Sequence, residues 1–266
     1  MMNIERFYRA VSAEDALNVY QNTEGAAVLG GCCYLRMGAK NITAGIDLSA
    51  LGLDRITVSG GSTELGAMVS LRDLETDENI LKNFGGLFRD ACADIVGVQL
   101  RNCATIGGTV AGRYPFSDIL TAMSVLDVTI LFASGASMSL ADYMDSKKPA
   151  KDIITKIIIK NNVKKAVFNS VRNSHGDYAV LNCACAVKDG KYSLAVGARP
   201  QKAVRVTKAE EFLNNCAITA ETAEEAGKIC SGALDFQDNI RGKAEYRKAV
   251  CVPLVKRAVM GAAYAG

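Results

Sequence analysis

A single histidine, no tryptophan and only 6% aromatic residues are what this 266-residue chain most obviously lacks. One histidine cannot build a His-rich metal site, and a conventional Ser/His/Asp triad would have only His175 to stand on, so hydrolytic chemistry recedes. The shortage of rings takes weight from sugar-stacking and base-stacking platforms. An excess of one charge is missing as well: 31 Lys plus Arg against 28 Asp plus Glu leave +3, too even a balance for a surface that binds nucleic acid or anionic membrane. Apolar runs of the roughly 20 residues that span a bilayer are absent, and the opening MMNIERFYRA has an acid and bases where a secretory signal has its apolar stretch. A cytoplasmic protein is expected.

Cysteine is plentiful, with nine residues, but the positions (Cys32, Cys33, Cys92, Cys103, Cys183, Cys185, Cys216, Cys230, Cys251) contain no CxxC and no ladder of metal-ligand intervals. In an unsecreted chain most read as small buried hydrophobes. With 49% hydrophobic residues the chain can fill sizeable cores, and its length predicts about two domains.

Ser12, with Asp15 three residues on and Ala13, Ala16, Leu17 and Tyr20 on one face, spells a capped amphipathic helix. A strand precedes it, and the apolar run Ala26 to Leu29 follows and breaks at Gly30 and Gly31. Residues 1 to about 52 therefore read as a β-α-β unit ending with Asn41 to Leu48. Short alternating pieces follow (ITVSG, TELGAMV), then a helix capped by Ser70 with Asp73, and one helical stretch from Phe84 to Ile95. The segment VGVQLRNCATIGGTVAGRYPFSD, with four Gly and a Pro, reads as a loop before a helix capped by Ser117. Strands are expected at Val128 to Ala133 and Ile153 to Lys160, and a boundary near Asn161. Beyond it come three apolar runs, Ala166 to Val171, Tyr178 to Val187 and Tyr192 to Val196, the last two joined by the hairpin signal Asp189-Gly190. Helices at about Thr207 to Leu213, Ala220 to Ile229 and Glu245 to Ala263 close the chain, the last with Pro253 inside it. Cys183 and Cys185 share one face of a strand and read as packing, His175 as a solvated turn residue, and Arg172, Arg199 and Arg205 as surface charges.

Two glycine pairs carry the chemistry. LGGCCYLR (Leu29 to Arg36) and ATIGGTVAG (Ala104 to Gly112) can each turn backbone N–H groups inward as a nest for a phosphate oxygen, and two nests could hold a diphosphate. Neither matches GxGxxG or GxxxxGK[ST], so Rossmann and Walker sites are unsupported, and each pair by itself is equally a tight turn.

The segment RNCATIGGTVAGRYPFSDILTAMSVLDVTI resembles the signature of the FAD-binding subunit of molybdenum hydroxylases, the family of xanthine dehydrogenase, aldehyde oxidoreductase and carbon monoxide dehydrogenase. LGGCCYLR resembles the first phosphate loop of that family, TELGAMVSLRDLE its IGAxxTxxxLE segment, and RGKAEYRKAVCVPLVKRAV its closing helix. The resemblance implies an α+β fold. A two-subdomain FAD-binding module of the p-cresol methylhydroxylase type would occupy residues 1–160, divided at about 1–52 and 53–160. A smaller domain, similar to the carbon monoxide dehydrogenase flavoprotein C-terminal domain, with a three-stranded antiparallel sheet and helices, would occupy 161–266.

It also implies a site. Leu29, Gly30, Gly31, Cys32, Cys33 and Tyr34 with Thr105, Ile106, Gly107, Gly108 and Thr109 would meet the FAD diphosphate. Asp118 would bond a polar part of the cofactor, although an acid in the first turn of a helix is favourable there on its own account. Ile154 falls near the apolar flavin contact, where it is equally a core strand residue. Cys32 stands where the family usually has Thr, Thr109 where it has Asn, and Asn169 where several relatives carry Lys.

By the same resemblance FAD carries the redox chemistry and no general base is required. Electrons would arrive from a molybdopterin-binding large subunit through a two-iron two-sulfur small subunit and leave to NAD or another acceptor. The chain itself lacks the Cys constellation for a cluster. Two other readings stand beside this one: a degenerate subunit that holds flavin weakly or not at all, and a free-standing flavin oxidoreductase.

Overall fold

The computed structural model describes residues 2–147 and 150–264. It divides into two compact units that interleave along the chain: Met1–Asp73, Val98–Gly112 and Val128–Ile159 make one, and Leu74–Gly97, Arg113–Asp127 and Lys160–Gly266 the other.

The first unit contains two sheets. Strands β1 (Asn3–Arg9), β2 (Ala27–Leu29) and β3 (Asn41–Asp47) form a parallel sheet in the order β1-β3-β2. The helix Ala13–Asn22 makes the crossover, and its start is held as its sequence predicts: the Ser12 hydroxyl accepts from the Asp15 N–H at 3.0 Å, and the Asp15 carboxylate accepts from Val11 N–H at 3.0 Å. Its Ala16 packs with Ala10, Ile46 and Leu48 in one apolar cluster. The second sheet takes β4 (Ile56–Ser59), β5 (Ser62–Gly66), β6 (Val128–Phe132), β7 (Ser137–Ser139) and β8 (Ile154–Lys160) in the order β4-β5-β8-β6-β7. Gly60 and Gly61 both have positive φ, as the tight turn between β4 and β5 requires.

Two expectations fail in the helices. The stretch Phe84 to Ile95 is not one helix: Glu78–Phe84 and Leu87–Ala93 are separated at Gly85, whose φ of 59° no right-handed helix accepts. The expected loop at 96–118 holds two helices, Val98–Cys103 and Ile106–Gly112. Gly107 and Gly108 each disfavour a helix by about 1 kcal/mol relative to Ala. Burial outweighs this, because Ile106 and Val110, one turn apart, are both fully buried.

The second unit carries an antiparallel sheet of β9 (Val163–Val171), β10 (Leu181–Lys188), β11 (Lys191–Gly197) and β12 (Val204–Arg205), in the order β12-β11-β10-β9. It therefore has four strands where three were expected; the fourth spans two residues, too short to show a pattern in sequence. Asp189 and Gly190 take φ of 48° and 76°, the primed turn that matches the twist of a hairpin. Leu181, Cys183, Cys185, Leu194 and Val196 pack against the helices Thr207–Asn214, Ala220–Ala233 and Ala244–Tyr264. Cys183 and Cys185 are packing residues, as expected. Pro253 lies within the last helix, beside the point where Gly227 lets two helices touch: a Cβ on Gly227 would stand 2.6 Å from the Val252 carbonyl.

The arginines correct another expectation. Arg199 is buried and the Arg172 side chain is only 8% exposed, so neither is a free surface charge, whereas Arg205 is exposed as expected and pairs with Glu210 at 2.7 Å. Arg247 is completely buried and donates to the carbonyls of Val180 and Gln237 and to the Asn239 side chain. Among the described residues no helix is long and apolar enough to cross a membrane.

Candidate functional site

Strand β2 ends at Leu29, paired with Asp47 and nearly buried, and the chain then turns through Gly30–Tyr34 into the short helix Leu35–Met37. What fixes this turn is its contact with the second glycine segment. A Cβ on Gly31 would stand 1.6 Å from the Cys103 carbonyl oxygen, and one on Gly30 would stand 2.7 Å from Thr105 Oγ1. The two segments, about 70 residues apart in sequence, therefore meet backbone to backbone. Cys32 adopts φ of 56°, the left-handed region that a non-glycine residue enters at a cost of about 1 kcal/mol or more.

The polar groups of this loop are unusual. Gly30 to Tyr34 are half-buried, and among the described residues the N–H groups of Gly30, Gly31, Cys32 and Cys33 donate to no protein acceptor. Four consecutive free donors around a left-handed residue are the elements of an anion-binding nest. The Cys32 and Cys33 thiols fold back toward the carbonyls of Gly30 and Gly31 at 3.4 and 3.5 Å. Burial pushes both thiols up, so they remain protonated and add no negative charge.

The second segment is built differently. The Ile106 and Gly107 N–H groups donate to the carbonyls of Val69 and Ala67, both at 2.9 Å, and Gly108 N–H donates to Thr105 Oγ1 at 3.2 Å. Thr109 turns inward too: its N–H and its hydroxyl each donate to the Thr105 carbonyl at 2.9 Å. These donors are occupied by the chain itself. Gly107 is a packing glycine, since a Cβ there would stand 2.6 Å from the Ala67 carbonyl oxygen, whereas Gly108 is exposed and its Cβ would meet only Thr105 Oγ1 at 3.0 Å. What remains to face a ligand is the Thr105 hydroxyl, which can donate while accepting from Gly108.

Ile154 opens β8, is buried and pairs with Phe132, the position of a core residue. Asp118 belongs to the other unit, in the first turn of the Ser117-capped helix Asp118–Ser124. Its carboxylate accepts from Arg172 at 2.7 Å and from Asn182 Nδ2 at 2.7 Å, while Asn182 Oδ1 accepts from the Thr121 hydroxyl at 2.9 Å. Arg172 also bonds Asp94 at 3.0 Å and the Asp177 carbonyl at 2.6 Å. Burial pushes the Asp118 carboxyl up, and the adjoining Arg172 guanidinium works against it. His175 is exposed, with Nδ1 3.0 Å from Asp94. Sequence reasoning missed Ala67, Val69, Asp94 and Asn182. The one signal was Asn182, a lone amide in the apolar run of β10.

Residues 2–160 match the family described as the FAD binding domain in molybdopterin dehydrogenase, and residues 166–262 the CO dehydrogenase flavoprotein C-terminal domain. Among curated proteins, the nicotine 6-hydroxylase medium subunit of Paenarthrobacter nicotinovorans is 28% identical over 97% of this chain and 96% of its own. The glyceraldehyde dehydrogenase medium chain of Sulfolobus acidocaldarius is 24% identical over 95% and 96%. Among solved structures, a carbon monoxide dehydrogenase from Hydrogenophaga pseudoflava superposes with a TM-score of 0.88 at 22% identity, covering 98% of this chain and 97% of that one. The chain thus belongs to the family of FAD-binding domains of molybdopterin dehydrogenases, here continued by a carbon monoxide dehydrogenase flavoprotein C-terminal domain.

Proposed function

We propose that this chain is the FAD-binding electron-transfer subunit of a heteromeric molybdenum hydroxylase, a cytoplasmic oxidoreductase that works with a molybdopterin-binding large subunit and a two-iron two-sulfur small subunit. The observation that carries the site is the row of four unpaired N–H groups at Gly30–Cys33 beside the Thr105 hydroxyl. It fits the diphosphate of FAD: neutral donors, a left-handed cradle and protonated thiols can receive a doubly charged group, with the Asp47 carboxylate as a neighbouring anion. When bound, FAD supplies the redox chemistry by which an electron entering from a cluster can leave to NAD or another acceptor. The residues of the chain have the simpler tasks. Gly30 to Cys33 bind, Thr105 orients one oxygen, and Leu29 and Ile154 keep the surroundings apolar. We assign the cofactor to residues 1–160 and the smaller domain to 161–266.

The names of the relatives support the assembly, since two of them are medium subunits or chains of dehydrogenases and hydroxylases. One observation favours the weak-flavin alternative: the donors of Ile106, Gly107, Gly108 and Thr109 are already bonded within the chain. The deciding experiment is the flavin content of the purified chain and of the complex it draws from its host. About one FAD per chain, released by denaturation and accompanied by a large and a small subunit, is expected. A colourless chain that still binds both partners would establish the degenerate reading, and a coloured chain without partners the free-standing oxidoreductase.

A further inference from the structure

Three of the nine thiols, Cys32, Cys33 and Cys103, lie where the two glycine segments meet. Others are out of reach of solvent: Cys183, Cys185, Cys230 and Cys251 are completely buried in the second unit, and burial pushes Cys251 up to about 12. Cys103, in contrast, is exposed, and Cys33 is half-buried. Cys103 is close enough to Cys33 to act on its thiol electrostatically. Cys33 Sγ lies 3.9 Å from the Leu100 carbonyl, and Leu100 is one turn before Cys103 in the helix Val98–Cys103. A helical side chain lies over the turn that precedes it, so the Cys103 sulfur is directed to the same region. The backbone holds them there, because Gly31, two residues before Cys33, touches the Cys103 carbonyl. Cys32 turns instead to its own Gly30 carbonyl.

We propose that Cys33 and Cys103 are a redox-modification site, a thiol pair that closes to a disulfide under peroxide and takes the Gly30–Cys33 loop away from its cofactor. The inference rests on reading that loop as the diphosphate site. Burial, and after it the neighbouring Cys103, keeps the Cys33 proton in place, so the exposed Cys103 meets the oxidant first. The Cys103 thiolate attacks one peroxide oxygen, the O–O bond breaks, and hydroxide leaves a sulfenic acid. That hydroxide takes the Cys33 proton as water. The Cys33 sulfur then attacks the sulfenic sulfur, an S–S bond forms, and a second hydroxide leaves, collecting the proton first given up by Cys103. In sum two thiols lose two electrons and two protons, and one peroxide becomes two waters. The bond would hold the two Cβ atoms about 4 Å apart. That draws residues 31–33 onto the helix and turns their N–H groups from the positions they hold in the reduced loop.

The test uses the full chain freed of FAD, treated with hydrogen peroxide, digested without reduction and mapped by mass spectrometry, with FAD titrated in parallel. A Cys33–Cys103 linked peptide is expected, with FAD binding weakened at least about tenfold and restored by dithiothreitol. C103S should form no link, keep its affinity under peroxide, and match the untreated protein when reduced; C103A provides the same control if the serine variant folds poorly. The proposal is overturned by a link between Cys32 and Cys33, by no link, or by a linked chain that binds FAD unchanged. A reduced chain that takes up no FAD overturns the diphosphate reading instead, and the peptide map still decides whether the thiols pair.

Discussion

The two glycine pairs look alike in sequence and are unlike in the folded chain. At Gly30–Gly31 the backbone leaves a strand with unpaired donors, and the glycines are needed so that this loop can lie against Cys103 and Thr105. At Gly107–Gly108 the backbone enters a helix whose first donors are taken by Ala67, Val69 and Thr105. One segment offers hydrogen bonds, and the other supplies a platform. The lesson is that a glycine pair reports the absence of Cβ, and only the neighbours tell whether a ligand or another backbone uses the space.

Substitutions can break this comparison, beginning with the largest effect. Gly31→Ala drives a Cβ into the Cys103 carbonyl, so the first loop must leave the second segment; a loss of about 3 kcal/mol or more in urea unfolding is expected, along with all bound FAD. Wild-type stability in this variant would mean the two segments do not touch. Gly107→Ala meets the Ala67 backbone at 2.6 Å rather than 1.6 Å, and should lose about 1–3 kcal/mol. Its FAD content should fall only in step with folded protein, as expected for a packing glycine that contributes no free donor. A loss of FAD at unchanged stability would instead make Gly107 a ligand contact.

Smaller changes sharpen the difference. Thr105→Val removes the acceptor of the Gly108 N–H and the one hydroxyl left to face the cofactor. About 1 kcal/mol of stability and roughly tenfold in FAD affinity should go, the second read by fluorescence titration. Gly108→Ala adds a methyl group whose only close neighbour is the Thr105 hydroxyl and replaces a poor helix former by the best, so thermal unfolding should stay within about 0.5 kcal/mol of the parent. An effect on Gly108 as large as on Gly31 would erase the distinction between loop and platform.

Local rules were legible because their causes are local. The Ser12 cap, the Ser70 and Asp73 pair, bonded reciprocally at 3.0 and 3.2 Å, and the Asp189-Gly190 turn each depend on residues within a few positions of one another. The resemblance to FAD-binding subunits was legible for a related reason, since its motifs are contiguous. Matches to the family over residues 2–160 and 166–262 agree with it. The helices at 98–112 were not legible, because two glycines in a row argue against them and only the burial of Ile106 and Val110 argues for them. The two-residue strand β12 exists only because β11 is there to pair with it.

The sequence by itself determined the strand and helix periods, the caps and turns, and the family motifs, because these depend on neighbours along the chain. Tertiary structure alone decided which donors are free and which charges are buried. Arg172 is indistinguishable in sequence from a surface arginine until Asp94 and Asp118, 78 and 54 residues away, close on it. Likewise Gly31 and Cys103 are unrelated until the fold brings one backbone against the other, and hydrogen bonds over such separations are set by packing rather than by any local preference.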